Sequence, residues 1–358
     1  MTKRKIKQVI IIFITTIIIL VLGLLIILTV TEYRPKNKEK LNVHNQEKDS
    51  IQSITKGDSI KILTWNIGYG ALGDNADFFM DGGSHVTTAT SKRVKQNIHA
   101  VTNQLNKQDP DIVFLQEVDQ NSKRSHHINE RKDITNAMNG YQWSFANNFK
   151  VAYVPYPFPP IGKVDSGILT LSRYNQTSAE RISLPCPFRW PVKMANLKRC
   201  LMVNRILLVN TDKELVLINL HLEAYDDGEG KAKQTKALLK VMNEEVKKGN
   251  YVIAGGDFNQ TFSNVDATKF KPEKDKWTPG IIDEKDFKDN FTLQMDDSSP
   301  TCRSLDKPYK NADHDHFLSY MLDGFIVSKN VKIQSIKTTN LQFKNSDHNP
   351  VTMTVRLD

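Results

Sequence analysis

The distribution of apolar and polar positions divides the chain into three parts. Residues 9–30 form an uninterrupted apolar run without a charged side chain. A helix of this length, at about 1.5 Å per residue, reaches roughly 33 Å and can span the core of a bilayer. Residues 31–57 are polar and lack apolar periodicity, which predicts a flexible linker. From residue 58 to residue 358, short apolar runs alternate with turn residues, which is typical of a folded domain.

The apolar runs of the folded part predict more strands than helices. Helical spacing over residues 91–106 and 231–247 predicts two amphipathic helices. Many of the remaining runs are apolar at consecutive positions, as in sheets covered on both faces. We therefore expect two stacked sheets with helices outside, with strands at 60–66, 111–117, 167–172, 201–209, 214–221, 251–255, 325–327 and 351–355.

The residues that flank the first apolar run indicate its orientation and help to distinguish a membrane anchor from a cleaved signal peptide. Residues 1–8 carry Lys3, Arg4, Lys5 and Lys7 and predict a short basic cytoplasmic tail. A cleaved signal peptide is the alternative, but its apolar region is usually about 7–15 residues long. Residues 9–30 are thus predicted to be a retained transmembrane signal anchor. A single-pass protein of the cell membrane with its folded domain on the extracytoplasmic side is expected.

Charge and cysteine content exclude several classes. The net charge is +9, and the first fifty residues hold nine Lys/Arg against four Asp/Glu, so the folded part is only mildly basic. Three cysteines are too few for a disulfide framework or a zinc site. Cys186 and Cys200 could close a short loop in an extracytoplasmic domain, although unpaired thiols are the preferred interpretation. Nothing in the sequence indicates an obligate protein partner.

Polar residues stand directly beside the predicted strands. They carry carboxylate, amide or imidazole groups and comprise Asn66, Glu117, His221, Asp257, Asn259, Asp323, Asp347 and His348. Oxygen ligands of this kind suit Mg²⁺, Mn²⁺ or Ca²⁺ better than zinc. Hydrolysis of a phosphate ester needs such a cation, a base for the attacking water and donors for the phosphate oxygens. The strand ends therefore predict a metal-dependent phosphoester hydrolase.

Read in order, the motifs around these residues resemble the endonuclease/exonuclease/phosphatase superfamily. The matching segments span about residues 59–358 and include Leu63-Thr64-Trp65-Asn66, Leu115-Gln116-Glu117, Asn219-Leu220-His221, Gly256-Asp257-Phe258-Asn259, Leu322-Asp323-Gly324 and Ser346-Asp347-His348-Asn349-Pro350. The resemblance implies an α/β (α+β) fold, a DNase I-like four-layer αββα sandwich, with the catalytic site at one end of the two sheets. It places the catalytic domain in residues 58–358.

The resemblance also implies roles for individual residues. Glu117 would be the principal metal ligand, helped by Asn66, with Asp347 beside the metal, and Mg²⁺ the expected ion. Asp257 would orient or deprotonate water, Asn259 would contact the phosphate, and His348 would be a catalytic histidine paired with Asp323. His221 would act near the leaving group, as in the DNase-like and sphingomyelinase-like branches.

Three features depart from the superfamily pattern or extend it. Gly68 stands where several nucleases have an acidic residue, which removes one potential metal ligand. The acidic insert 70–90, with Asp74, Asp77 and Asp81, could supply another ligand or be a surface loop. Arg124 resembles a phosphate-binding residue of a phosphodiesterase-like subset, and a structural ion pair is equally compatible with the sequence.

The sequence is compatible with two classes of substrate. A phospholipid or sphingolipid substrate is favoured by the anchor and by the aromatic and proline stretch 153–160, which could insert at a membrane surface or form a rigid packed loop. A surface nuclease acting on extracellular nucleic acid is the alternative. An inactive binding module is the least favoured interpretation, because all eight strand-end residues are present.

Overall fold

The computed structural model of the chain describes residues 3–45, 51–226, 228–270 and 276–358. The α-helices are α1 (Lys3–Val30), α2 (Ser91–Gln108), α3 (Glu130–Ala137) and α4 (Glu229–Val246). The first nine strands are β1 (Lys38–Leu41), β2 (His44–Asn45), β3 (Ser59–Asn66), β4 (Ile112–Asp119), β5 (Gln142–Val154), β6 (Gly162–Ser172), β7 (Gln176–Ser183), β8 (Cys200–Leu207) and β9 (Glu214–His221). The others are β10 (Tyr251–Asp257), β11 (Gln260–Phe262), β12 (Gly280–Ile282), β13 (Phe291–Gln294), β14 (Cys302–Arg303), β15 (Ser319–Tyr320), β16 (Asp323–Ser328), β17 (Val331–Thr338) and β18 (Val351–Leu357).

Two seven-stranded sheets form the body of the protein. One has the order β1-β7-β8-β9-β10-β16-β13, and the other has the order β17-β18-β3-β4-β6-β5-β2. In the first sheet β9 and β10 are parallel neighbours, and in the second β3 and β4 are. The carboxyl ends of these four central strands lie at one end of the body, which is where the polar strand-end residues meet.

Three buried clusters hold the layers together. The cluster between the sheets includes Ile62, Phe114, Ile253 and Phe325. On the outer face of one sheet, α2 and α3 pack through residues such as Ile98, and on the other sheet α4 packs through residues such as Leu238. The fold is the predicted four-layer αββα sandwich, because strands that are apolar on both faces need a cover on each side.

Helix α1 precedes this body. It is long and apolar enough to cross a membrane, and its most apolar stretch is not buried against the rest of the chain. A signal sequence near an N-terminus can pass the same test of length and composition. Only Leu28, near the end of the helix, is buried.

The structure differs from the expected flexible linker at residues 31–57. Strand β1 pairs with β7, and β2 pairs with β5, so each adds an edge strand to one of the sheets. Ile54 is fully buried in the core between the sheets. An edge strand can be polar on most positions because solvent covers it, and this polarity gave the segment the composition of a linker. Residues 46–50 of the expected linker lie outside the described residues.

The contact between the sheets predicts a large loss of stability on truncation of Phe325. This side chain is fully buried, and its ring faces Gly255, where a Cβ atom would lie 2.5 Å from it. We expect Phe325→Ala to lower the free energy of unfolding by about 3–5 kcal/mol, because the neighbouring side chains cannot move in to fill the space left by the ring. Denaturant unfolding of the full chain in detergent measures the change. Ile281→Ala, at a side chain 72% exposed, is the control and should leave stability nearly unchanged.

Candidate active site

Residues from both sheets converge at the carboxyl ends of the central strands. His221, Asp257 and Asp323 stand side by side on β9, β10 and β16, since Asp257 is the register partner of both others. Asn66 ends β3 of the opposite sheet, next to Glu117 on β4. The segment that leads into β18 brings His348 to the same place, where its carbonyl oxygen accepts a hydrogen bond from the Trp65 indole nitrogen at 2.9 Å.

A bulge in β4 directs Glu117 into the site. The pairing of β4 with β6 shifts register between Leu115 and Val118, and Glu117 has a φ of 55°. A non-glycine residue in the left-handed region is uncommon and is often found where a bulge reorients a functional side chain. Glu117 Oε1 accepts a hydrogen bond from the Asn66 amide at 3.1 Å.

A row of acidic and imidazole groups crosses the site. His348 Nδ1 lies 2.7 Å from Asp323 Oδ2. On the other side of the ring, His348 Nε2 lies 3.7 Å from Asp257 Oδ2, and His221 Nε2 lies 3.5 Å from the same oxygen. Because Asp323 fixes the Nδ1 side of the imidazole, Nε2 is the nitrogen presented to the cavity.

Burial and neighbouring charges shift the pKa values of these groups. Burial raises the pKa of Asp257 to about 6, although His348 opposes the shift. Burial likewise raises the pKa of Asp347 to about 7, and Glu117 adds repulsion. For His348 burial disfavours the charged form, but Asp323 and Asp257 outweigh it and raise its pKa.

The second histidine has the opposite tendency. Burial, reinforced by Arg199 and His348, lowers the pKa of His221 well below its usual value. The two imidazoles beside this carboxylate thus have pKa values shifted in opposite directions, which suits one of them to donate a proton and the other to accept one.

Amide side chains tie the two sheets together beneath the carboxylates. The Asn66 amide nitrogen lies 3.0 Å from Asp257 Oδ2, which joins β3 to β10. One layer deeper, the Gln116 amide donates to Asn219 Oδ1 at 2.8 Å. Both of these deeper amides are fully buried. Such satisfied networks hold the strand ends at a fixed separation.

The donors at this end of the sandwich fit a hard divalent cation. Asn66, Glu117 and Asp347 all line the same cavity, and their oxygen atoms are of the kind that Mg²⁺ prefers. A Cβ atom on Gly68 would lie 2.7 Å from Asp347 Oδ1, so the glycine keeps space beside this carboxylate. Buried carboxylates that repel one another are costly without a counter-charge, and a bound cation would supply it.

Two tight groups of potential ligands occur among the described residues. Ligand atoms within 4.8 Å of one another belong to Cys302, Asp347 and His348 and, separately, to Asp257, Asp323 and His348. Glu117 belongs to neither group. Two polar atoms here, His221 Nδ1 and Asp323 Oδ1, are buried without a hydrogen-bond partner in the described part of the chain. Unpartnered atoms of this kind are expected where a ligand or water completes a site.

Asn259 and Arg124 are already engaged by the protein. The Asn259 side-chain amide donates to the Leu222 carbonyl oxygen at 2.9 Å, and its backbone N–H donates to Asp257 Oδ1 at 2.9 Å. Arg124 forms an ion pair with buried Asp119 at 2.9 Å, and its guanidinium stacks 3.6 Å from the centre of the Tyr69 ring. Both residues nevertheless line the cavity.

The acidic insert contributes one carboxylate to the cavity. Asp74 pairs with Arg93, and Asp77 contacts His85, each at 2.6 Å. Asp81 instead lines the cavity and accepts a hydrogen bond from the Tyr225 hydroxyl at 2.8 Å. Burial raises the pKa of Asp81 to about 6. The tyrosine partner lies 144 positions away, so the sequence could not single out Asp81 from its neighbours.

The sequence did not predict that a cysteine lies beside His348. Cys302 forms an isolated β-bridge with His348 and is buried. Burial raises the pKa of its thiol to about 12, so the thiol stays protonated. All three cysteines are free, with Cys186 exposed and Cys200 buried.

The cavity in front of these groups has a volume of about 550 Å³. Seven of the eight polar strand-end residues line it, and the eighth, Asp323, contacts His348 from behind. Its walls are largely apolar and aromatic, and they include Phe79, Tyr156, Phe188, Trp277 and Leu322. A pocket of this kind fits a substrate that carries an apolar group next to a polar centre.

Comparison with solved structures identifies proteins of similar fold. An endonuclease/exonuclease/phosphatase from Beutenbergia cavernae has a TM-score of 0.57 and 17% identity, covering 84% of this chain and 72% of that one. One from Bacteroides vulgatus has a TM-score of 0.52 and 14% identity, covering 84% and 100%. D. rerio TDP2, solved with a single-strand DNA product, has a TM-score of 0.52 and 14% identity, covering 84% and 99%. No curated protein sequence matches the chain.

The family assignment follows from the sequence profile. The model of the Endonuclease/Exonuclease/phosphatase family matches residues 63–348, a stretch that begins in β3 and ends at His348. Members of this family are divalent-metal-dependent hydrolases of phosphoester bonds. The chain belongs to the endonuclease/exonuclease/phosphatase family.

Proposed function

We propose that this protein is a membrane-anchored, Mg²⁺-dependent phosphoester hydrolase whose substrate carries an apolar group beside the phosphate. The observation that supports it most directly is the Asp323–His348 hydrogen bond, which leaves His348 Nε2 facing Asp257 at 3.7 Å in a cavity that Glu117 also lines. The apolar walls favour a phospholipid or sphingolipid, whose apolar portion lies beside the phosphate, over a nucleic acid.

The proposed residue roles are those implied by the family resemblance, and the contacts of these residues support them. Glu117, Asn66 and Asp347 would hold the cation, which would offset the charge of the phosphate and of the attacking oxygen. Asp257 orients or deprotonates the water. His348, held by Asp323, donates from Nε2 to a phosphate oxygen, and Asn259 contacts the phosphate. His221 lies on the other side of Asp257 and acts near the leaving group, while Arg124 adds positive charge at the wall.

Helix α1 serves as the anchor in this proposal. The basic residues before it favour a cytoplasmic N-terminus, which puts the catalytic body on the extracytoplasmic side of the cell membrane. A retained helix keeps the enzyme beside its substrate, since lipid headgroups occur at high density at the same surface.

A substrate panel with metal removal tests the proposal. The full chain in detergent is assayed with Mg²⁺ against sphingomyelin, phosphatidylcholine, duplex and single-stranded DNA, RNA and sugar phosphates. We expect hydrolysis of a lipid, its loss in EDTA and its return with excess Mg²⁺. Mn²⁺ and Ca²⁺ are compared in parallel. Hydrolysis that persists in EDTA would contradict metal dependence, and faster cleavage of nucleic acid than of any lipid would contradict the proposed substrate.

A further inference from the structure

Exposed apolar side chains are concentrated around the mouth of the catalytic cavity. Outside α1, nine large apolar side chains are exposed among the described residues, and six of them come from segments that form this mouth. We call these six the rim patch: Met80, Tyr153, Tyr156, Phe158, Trp190 and Val192. Phe158 is 97% exposed, Tyr156 69% and Trp190 62%. An exposed apolar cluster of this kind marks a binding surface.

The two main segments of the rim patch are packed against each other. Val154 and Ile161, at the tip of the β5–β6 hairpin, share a cluster with Ala195. The ring of Tyr156 also contacts that of Phe79, with centroids 5.7 Å apart. The exposed side chains therefore stand on a fixed support and do not depend on a loose loop.

The end of α1 docks on the same support. Thr29 Oγ1 lies 3.2 Å from the Met194 sulfur, two residues after Val192. Directly after the helix, Glu32 pairs with Lys198 at 3.2 Å, and its side chain is only 7% exposed. Strand β1 then begins at Lys38. A helix that spans a bilayer would thus emerge from it beside the rim patch, with no long spacer.

The charges around the rim patch suit an anionic surface. Residues 150–164 and 184–199 together contain six Lys or Arg and no Asp or Glu. Three of the six pair with acidic residues of other segments: Lys150 with Asp165, Lys198 with Glu32 and Arg199 with Glu223. Lys163, Arg189 and Lys193 are exposed. Basic residues close to a membrane are attracted to anionic headgroups, and tryptophan and tyrosine favour the headgroup level.

We propose that the rim patch inserts into the lipid bilayer that holds α1, so that the catalytic cavity opens onto the membrane surface. The proposal rests on the proposed function for the anchoring role of α1, and it adds the orientation of the enzyme and the route of its substrate. A phospholipid could move from the bilayer into the cavity with its acyl chains kept among apolar side chains.

Lipid quenching tests the insertion directly. The full chain is reconstituted into vesicles of phosphatidylcholine and phosphatidylglycerol with or without brominated acyl chains. The Phe158→Trp variant adds one tryptophan to the chain. We expect the fluorescence of this tryptophan, taken as the difference from the wild type, to be shifted to the blue and quenched by the brominated lipids. Leu207→Trp is the matched control, because Leu207 is 50% exposed at the far end of β8. Equal emission from brominated and plain vesicles in the Phe158→Trp variant would overturn the proposal.

A second measurement separates docking from catalysis. Phe158 and Trp190 lie beyond the cavity lining, so a Phe158→Ser/Trp190→Ser variant should hydrolyse a soluble short-chain phosphodiester at the wild-type rate. Its hydrolysis of vesicle phospholipid should fall about tenfold, since two aromatic anchors are lost. A Leu207→Ser/Val209→Ser variant should match the wild type on both substrates.

The outcomes distinguish the two proposals. Equal rates of the Phe158→Ser/Trp190→Ser variant and the wild type on vesicles would overturn docking while leaving the hydrolase intact. If the wild-type protein cleaves neither substrate but the Phe158→Trp variant is quenched by bromine, docking would be retained and the proposed function would be overturned. If the rim patch instead covers a second copy of the chain, the blue shift would persist in detergent and grow with protein concentration, which would also overturn docking.

Discussion

Replacing Glu117 by glutamine is expected to remove Mg²⁺-dependent hydrolysis almost completely. The substitution keeps the size of the side chain and an oxygen that can accept the Asn66 hydrogen bond, now at 3.1 Å, but it removes the charge. Changes to residues that merely support a metal ligand typically cost about 10–100-fold in affinity or activity, and loss of a principal ligand should exceed this range. Steady-state rates give the activity, and calorimetry gives the Mg²⁺ affinity of the same preparation.

The control for this substitution is Glu244→Gln on the exposed side of α4. It removes the same charge far from the cavity and should change neither rate nor affinity. Glu117→Gln should also fold normally, because the charge it removes lies among other buried carboxylates that repel it. An unaltered Mg²⁺ affinity in a folded Glu117→Gln protein would show that Glu117 is not a metal ligand.

The strands that carry the site were predictable because they are apolar on both faces. Residues 214–221 were predicted with the bounds of β9, and the predicted strand 60–66 differs from β3 by one residue. Buried central strands leave a continuous apolar signal, and their polar end residues then stand out. This is why the sequence singled out Asn66, His221 and Asp257, which the structure brings together.

The elements that the sequence did not predict are those with mixed polarity. Strand β5 reads Gln142-Trp143-Ser144-Phe145-Ala146-Asn147-Asn148, with buried and half-buried positions in alternation, and three of its buried positions are polar. Strand β1 and the edge strand β17 are largely exposed on one face. In such strands the stabilisation comes from partners distant in sequence, and local composition carries little information about it.

The walls of the cavity were beyond prediction for a related reason. Phe79, Phe188 and Trp277 come from three separate loops, and no spacing relates them. For the stretch 153–160, the sequence did not decide between insertion at a membrane and a packed loop. Its tip combines a packed base at Val154 with an almost fully exposed Phe158, so only the tertiary structure distinguishes the part that packs from the part that is free to bind.

The assignment of His348 and Asp323 to one functional unit predicts that their substitutions will not add. Asp323 is fully buried and lies 2.7 Å from His348 Nδ1, while the other ring nitrogen faces the cavity. His348→Gln should lower kcat by about 10²–10⁴-fold, the usual contribution of a positioned acid or base. Asp323→Asn should cause a loss of similar order, because the ring loses both its orientation and the charge that favours its protonated form.

The double variant distinguishes this unit from two independent contributions. If Asp323 acts only through His348, the His348→Gln/Asp323→Asn protein should be about as slow as the slower single variant. Independent residues would instead multiply their losses. The pH dependence of kcat separates positioning from a purely structural role. If Asp323 positions His348, the limb of the pH–rate profile that reflects the titration of His348 should move to lower pH in Asp323→Asn. General destabilisation would leave this limb in place. Multiplied losses with an unmoved pH profile would contradict the pairing, and the other imidazole beside Asp257, that of His221, would then be the stronger candidate for the proton transfer.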